Sequence, residues 1–226
     1  MGRSVPEEPR RVDKAVYGGS FNPFHRGHFM TVKFILQNEI ADEIVILPAG
    51  ISPFNQDEPP VSGEERIRII ELFLSSLDGD LRRRIHISCL EIKSSGVCYT
   101  SDSMAKLRSL YPDEKLSFVL GSDAFRSFSH WKNPSEILRS HPLFVLKRNH
   151  DDAGLLLEIT EELIEKFPEV TPEIRFLENP QINCSSSEIR EKILDGGVQL
   201  RKELDECLQE SAVDYILSKN LYVQSI

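Results

Sequence analysis

Between positions 18 and 28 the chain reads Gly-Gly-Ser-Phe-Asn-Pro-Phe-His-Arg-Gly-His, with two glycines ahead of two histidines three residues apart. Gly18 and Gly19 let a backbone approach a ligand closely and turn without steric penalty. The spacing of His25 and His28 puts both imidazoles on one face of a helix, in its first turn. A helix N-terminus presents unpaired N–H groups and the positive end of the helix dipole, both suited to phosphate. Two imidazoles beside it can donate to charge that develops on a phosphoryl group in transit. The same histidine spacing also suits a metal pair, but no third ligand is suggested nearby. The plainer alternative is a glycine turn followed by two surface histidines.

For this run to bind phosphate, a strand must end at the glycines and a helix must begin at the histidines. Residues 14–18 read as a short strand, and residues 25–37 as a helix with Phe29, Val32, Ile35 and Leu36 on one face. Strands are predicted at 43–48, 85–92, 116–120, 143–146 and 174–177, each rich in Ile, Val, Leu or Phe. Between them fall helical patterns. Ser62-Gly-Glu-Glu65 is a capping box, residues 102–110 form a helix capped by Thr100 or Ser101, and Asn133-Pro134 opens another helix. Residues 155–167 make an acidic helix, 186–194 a helix stopped by Gly196, and 204–217 a terminal helix. Such regular alternation predicts an α/β, Rossmann-like fold with a mostly parallel sheet and helices on both faces. Right-handed crossovers then collect the loops after the strands at one edge, where ligands bind.

The chain has 226 residues, 40% hydrophobic and 28% charged, enough to bury a proper core. One domain is expected over residues 13–226, helical in its C-terminal part from about residue 185, after a disordered tail at 1–12 that holds Pro6 and Pro9. No apolar stretch approaches the roughly 18 residues of a membrane span, and no export signal is evident, so a cytoplasmic protein without membrane contact is expected. Cys89, Cys98, Cys184 and Cys207 form no Cys-x-x-Cys pair, which predicts free thiols in a reducing compartment. The net charge of −9 disfavours nucleic acid as a partner. An anionic substrate must therefore meet a local set of donors.

The run Gly18 to His28 resembles the His-x-Gly-His signature of the nucleotidyltransferase superfamily, in the form shown by nicotinate and nicotinamide mononucleotide adenylyltransferases. A second element agrees: Cys184-Ser-Ser-Ser-Glu-Ile-Arg190 resembles that family's Ile-Ser-Ser-Thr-x-Ile-Arg. Tyr99-Thr100, Gly121-Ser-Asp123, Trp131-Lys132 and Lys147-Arg148 follow the order of the bacterial nicotinate-nucleotide type. The resemblance extends from about Lys14 to Tyr222. It implies transfer of the adenylyl group of ATP to nicotinate mononucleotide, giving nicotinate adenine dinucleotide and pyrophosphate in NAD biosynthesis. His25 and His28 would be catalytic. Gly18, Gly19, Ser20 and Phe21, with Ser185, Ser186, Ser187, Arg190 and Arg148, would bind ATP and its phosphates. Thr100, Gly121, Asp123 and Trp131 would bind the mononucleotide, Trp131 by stacking on the pyridine ring.

No protein-held metal is expected, so Mg²⁺ would enter with ATP. The oligomeric state, a homo-oligomer included, stays open. Three departures from the family pattern stand out. Ser52-Pro-Phe-Asn55 lacks the usual basic residue, Cys184 replaces Ile, and Asn149 replaces Pro after Arg148. The first clouds the choice between acid and amide mononucleotides. Alternatives are the same transfer to nicotinamide mononucleotide or phosphopantetheine, or a catalytically silent nucleotide-binding regulator.

Overall fold

The computed structural model describes residues 12–53, 61–148 and 151–223. Asn55, Asn149 and residues 1–11 lie outside the described residues. Six strands form one parallel sheet: β1 (Val12–Gly19), β2 (Ala41–Pro48), β3 (Ile85–Ile87), β4 (Leu116–Gly121), β5 (Leu143–Leu146) and β6 (Ile174–Leu177). Their order across the sheet is β3-β2-β1-β4-β5-β6. The chain runs outward from β1 to one edge, then returns to β4 on β1's other side. Neighbouring loops therefore diverge at β1 and β4, which opens a crevice at their C-terminal ends.

Both faces of the sheet are covered. Along β1, Ala15 and Tyr17 face one layer while Val16 faces the other, as a pleat of period two requires. On the first face lie α1 (Arg26–Gln37), α2 (Gly63–Leu74), α8 (Ser186–Asp195), α9 (Leu200–Asp205) and α10 (Glu210–Ser218). Ile35, Ile70, Phe73, Ile189 and Val213 join their core. The second face carries α4 (Thr100–Leu110), α5 (Ser122–Arg126), α6 (Pro134–Ser140) and α7 (Ala153–Lys166), packed through Leu107, Phe125, Ile137 and Leu163. A short helix, α3 (Gly79–Arg83), precedes β3.

Several boundaries differ from the sequence reading, each for a local reason. Val12, expected in the tail, is fully buried and opens β1. The third strand ends at Ile87, because beyond it the Ser88 hydroxyl accepts from the Leu90 N–H and a turn closes from Lys93 N–H to the Cys89 carbonyl. Tyr99 is the N-cap residue of α4, so neither Thr100 nor Ser101 caps it.

The terminal helix is broken into α9 and α10. At the break, Cys207 is disulfide-bonded to Cys184 and its carbonyl accepts from the Arg26 N–H. Two of the four cysteines are thus not free thiols; Cys89 and Cys98 are. Pairing across 23 residues depends on how α8 and α9 fold together, which Cys spacing alone does not reveal.

Candidate active site

A cavity of about 240 Å³ lies at the C-terminal ends of β1 and β4. Gly18, Gly19, Ser20 and Phe21 form one wall, and His25 and His28 stand at the start of α1. The glycines sit in the extended end of β1. A Cβ on Gly18 would come within 3.0 Å of the Phe118 ring, and one on Gly19 within 2.9 Å of the Phe21 ring. They are small so that these rings can lie against the backbone. The left-handed turn falls instead on Phe21, at φ 47°, whose side chain is buried.

His25 is the N-cap of α1 rather than part of it. Its Nδ1 accepts from the Gly27 N–H at 3.1 Å, and His28 Nδ1 accepts from the His25 N–H at 3.3 Å. Two histidines thereby form a reciprocal capping box, a role usually filled by Ser or Thr with Glu. The rings stack with centroids 3.8 Å apart. Gly27 is needed between them, since a Cβ there would meet His25 Cε1 at 2.9 Å.

Because each Nδ1 accepts a hydrogen bond, each neutral ring carries its proton on Nε2. Burial, reinforced by the Arg148 charge, lowers the His25 pKa to about 4. Burial, then the neighbouring His25 and Arg148, holds His28 well below the ordinary histidine value. Both imidazoles are therefore neutral Nε2–H donors at pH 7, not surface side chains. Across the cavity, Gly121 ends β4 and Asp123 lies in the first turn of α5, and the exposed Arg148 guanidinium stands 3.7 Å from the Asp123 carboxylate.

The Ser185–Arg190 segment docks on the Phe21–Phe24 loop. Ser186 Oγ donates to the Pro23 carbonyl at 2.9 Å, and Arg190 donates to the Asn22 carbonyl at 2.7 Å and to Ser187 Oγ at 3.2 Å. Ser185 caps α8 by accepting from the Glu188 N–H. On this side the cavity is bounded by residues 179–182 and Cys184. Ser186 and Arg190 hold the loop that shapes the cavity.

A second cleft of about 120 Å³ contains Thr100 and Trp131 together with Tyr99 and Lys132. Trp131 packs on Phe118 and Phe128, with centroids 6.1 and 5.2 Å away. Lys132 Nζ lies 4.4 Å from the Tyr99 ring centre and pairs with Asp102 at 2.9 Å. The two hollows meet where the Ala49 N–H, on the cleft, donates to the Gly19 carbonyl, on the cavity, at 2.8 Å. Of the four residues assigned to the mononucleotide, Thr100 and Trp131 thus share the cleft, while Gly121 and Asp123 line the cavity.

Residues 16–192 match the cytidylyltransferase-like family. The chain belongs to that family. It is 33% identical over 181 residues to a probable nicotinate-nucleotide adenylyltransferase of Fusobacterium nucleatum, covering 79% of this chain and 86% of the relative. A probable nicotinate-nucleotide adenylyltransferase of Desulfitobacterium hafniense strain Y51 is 28% identical over 220 residues, covering 97% and 99%. Among solved structures, nicotinic acid mononucleotide adenylyltransferase of Plasmodium falciparum, complexed with NaAD, is similar at a TM-score of 0.75 and 19% identity. That alignment covers 93% of this chain and 97% of the other.

In this cytidylyltransferase-like chain, sequence reading missed Arg66, Glu91 and the wall at 179–182. Arg66 did leave a signal. It lies three and four residues before Ile69 and Ile70, on the face of α2 that is otherwise apolar and buried. Residues 179–182 left none, because Gln181 is held by a donation to the Lys147 carbonyl, a backbone group.

Proposed function

We propose that the protein transfers the adenylyl group of ATP to nicotinate mononucleotide, giving nicotinate adenine dinucleotide and pyrophosphate. The observation that carries this reading is the pair of neutral, stacked imidazoles at the N-terminus of α1, facing a cavity that abuts an aromatic cleft. The triphosphate fits the cavity, beside the helix N-terminus. The pyridine ring fits the cleft against Trp131, where Thr100, Lys132 and the first turn of α4 offer donors to a carboxylate.

An oxygen of the mononucleotide 5′-phosphate attacks the α-phosphorus in line. The new P–O bond forms as the bond to the β-phosphate oxygen breaks, and its electron pair leaves with pyrophosphate. The nucleophile is already ionised near neutral pH, so no general base is needed. Positioning and charge stabilisation supply the rate. Nε2–H donors from His25 and His28 meet the charge that builds on the α-phosphate oxygens, and a neutral donor needs no proton transfer to do so.

Among the described residues no group of three or more His, Cys, Asp or Glu side chains is assembled to hold a metal. Asp123 is the carboxylate at the cavity, and its side chain is largely exposed. A single carboxylate with water and phosphate oxygens fits Mg²⁺ arriving on ATP, where it would neutralise phosphate charge.

The reading is tested with ATP, Mg²⁺ and three acceptors, nicotinate mononucleotide, nicotinamide mononucleotide and phosphopantetheine, beside a control with none. Pyrophosphate release and the dinucleotide product are followed together. The acid is expected to exceed the amide by about tenfold or more in kcat/KM. The amide turns an N–H toward donors and leaves one unpaired, at about 1–3 kcal/mol. Equal efficiencies, or a preference for the amide, would remove the acid assignment while keeping adenylyl transfer. No pyrophosphate with any acceptor would leave a nucleotide-binding regulator.

A further inference from the structure

Arg66 and Glu91 are buried, at 3% and 8% exposure, yet neither has an oppositely charged side chain in direct contact among the described residues. Among those residues, three of their four side-chain hydrogen bonds go instead to the backbone of residues 20, 49 and 50, and the fourth goes to the Ser103 hydroxyl. Arg66 Nη2 donates to the Ala49 carbonyl at 2.9 Å, and Nη1 to the Ser20 carbonyl at 2.6 Å. Glu91 accepts from the Gly50 N–H at 3.1 Å through one oxygen and from Ser103 Oγ at 2.7 Å through the other. The Ala49 carbonyl and the Gly50 N–H are the two polar groups of a single peptide unit. A cation holds its oxygen and an anion holds its hydrogen.

The peptide lies at the junction of the two hollows. Ala49 and Glu91 line the aromatic cleft, Ser20 lines the cavity, and Ser103 belongs to α4, whose first residue Thr100 is in the cleft. Gly50 is pressed against the chain of Glu91 so closely that a Cβ would come within 2.6 Å of the Glu91 carbonyl. The following residues continue the contact, with Cys98 N–H donating to the Ile51 carbonyl. A buried charge is tolerated only where its hydrogen-bonding capacity is used. Arg66 Nε has no partner among the described residues, but both Nη groups and both Glu91 oxygens are used, three of the four bonds falling on residues 20, 49 and 50 beside the two hollows.

We propose that Arg66 and Glu91 are a positioning pair that grips the Ala49–Gly50 peptide from both sides and sets the mononucleotide cleft in register with the phosphate loop. The identity of the two substrates rests on the adenylyl-transfer reading above; the grip on the peptide does not.

The test compares the parent with Glu91→Ala, Glu91→Gln and Arg66→Lys by substrate KM values, kcat, thermal midpoint and NMR hydrogen exchange of the Gly50 amide. In Glu91→Ala, Gly50 exchange should accelerate by about a hundredfold and the mononucleotide KM should rise about tenfold, with the ATP KM within about threefold. Glu91→Gln can accept from Gly50 with its carbonyl and donate to Ser103 with its amide. It should restore exchange and both KM values to within about threefold of the parent. Arg66→Lys keeps the charge but cannot reach both carbonyls, so both KM values should rise about fivefold or more.

The proposal is overturned if Gly50 exchange and the mononucleotide KM are unmoved in Glu91→Ala, or if the Gln variant is as impaired as the Ala variant. Should Glu91→Ala not fold, Arg66→Lys decides alone: both constants within twofold of the parent sink the pair. A parent that makes no dinucleotide contradicts the adenylyl-transfer reading, whereas Gly50 exchange needs no turnover and reports on the grip by itself.

Discussion

His25 and His28 each use Nδ1 to cap α1, so removing either ring removes a cap and a donor together. The two losses separate by measurement. For His28→Ala, loss of the cap should lower stability by about 1 kcal/mol. Loss of a donor aimed at transition-state charge should lower kcat by about a hundredfold or more, with the ATP KM little changed. Steady-state kinetics alongside a denaturation curve give both numbers, and turnover within threefold of the parent would take His28 out of the chemistry.

The protonation of His25 offers a second check. Its pKa of about 4 in the folded protein lies below the ordinary 6.5, so the unfolded chain binds more protons between those values. Stability is therefore fully present above pH 6.5 and falls as the pH drops toward 4. An NMR titration of the imidazole Cε1–H should show a neutral ring at pH 6, and a midpoint near 6.5 would contradict the buried cap. The histidine pair was legible in the sequence because its spacing is local. Arg66 and Glu91 were not assigned roles, because all their partners but the Ser103 hydroxyl are backbone atoms of distant loops, which no side-chain pattern records.

Among the elements, α1 and α8 are coupled through the loop between β1 and α1. The Arg190 fork joins the Asn22 carbonyl to Ser187, and Ser186 holds Pro23. Arg190→Lys keeps the charge but not the fork. The KM for ATP, and for pyrophosphate in the reverse direction, should rise about fivefold or more, while the mononucleotide KM changes less, since α8 gives no residue to the cleft proposed for the pyridine ring. Initial-rate kinetics in both directions check this, and unchanged constants would detach α8 from the phosphate site. Most strands and helices could be placed from apolar periodicity alone, because the sheet buries both faces and each helix one. The errors have one local cause and one tertiary cause. The apolar run after Ile87 turns away on the Ser88 hydroxyl, and the last helix breaks at Cys207.

At the scale of the whole molecule, the reversal of strand order beside β1 brings residues distant in sequence to one crevice: Gly19 ends β1, Gly121 ends β4 and Arg148 follows β5. A net charge of −9 makes that convergence necessary, since an anionic substrate gains nothing from the molecule's general field. Among the described residues no helix is long and apolar enough to cross a membrane.

The bond between Cys184 and Cys207 also gives the chain a covalent ring that encloses α8 and α9. Within the ring, Gly196 and Gly197 have positive φ, and Val198 is fully exposed beyond the end of α8. Such a tip is where a protease cuts first. One cut there opens a loop without releasing a fragment. The nicked protein should run as a single band on a denaturing gel without reductant and as a large and a small piece once reductant is added. It should also keep its fold until then, because the severed C-terminal helices remain tied beside the start of α1.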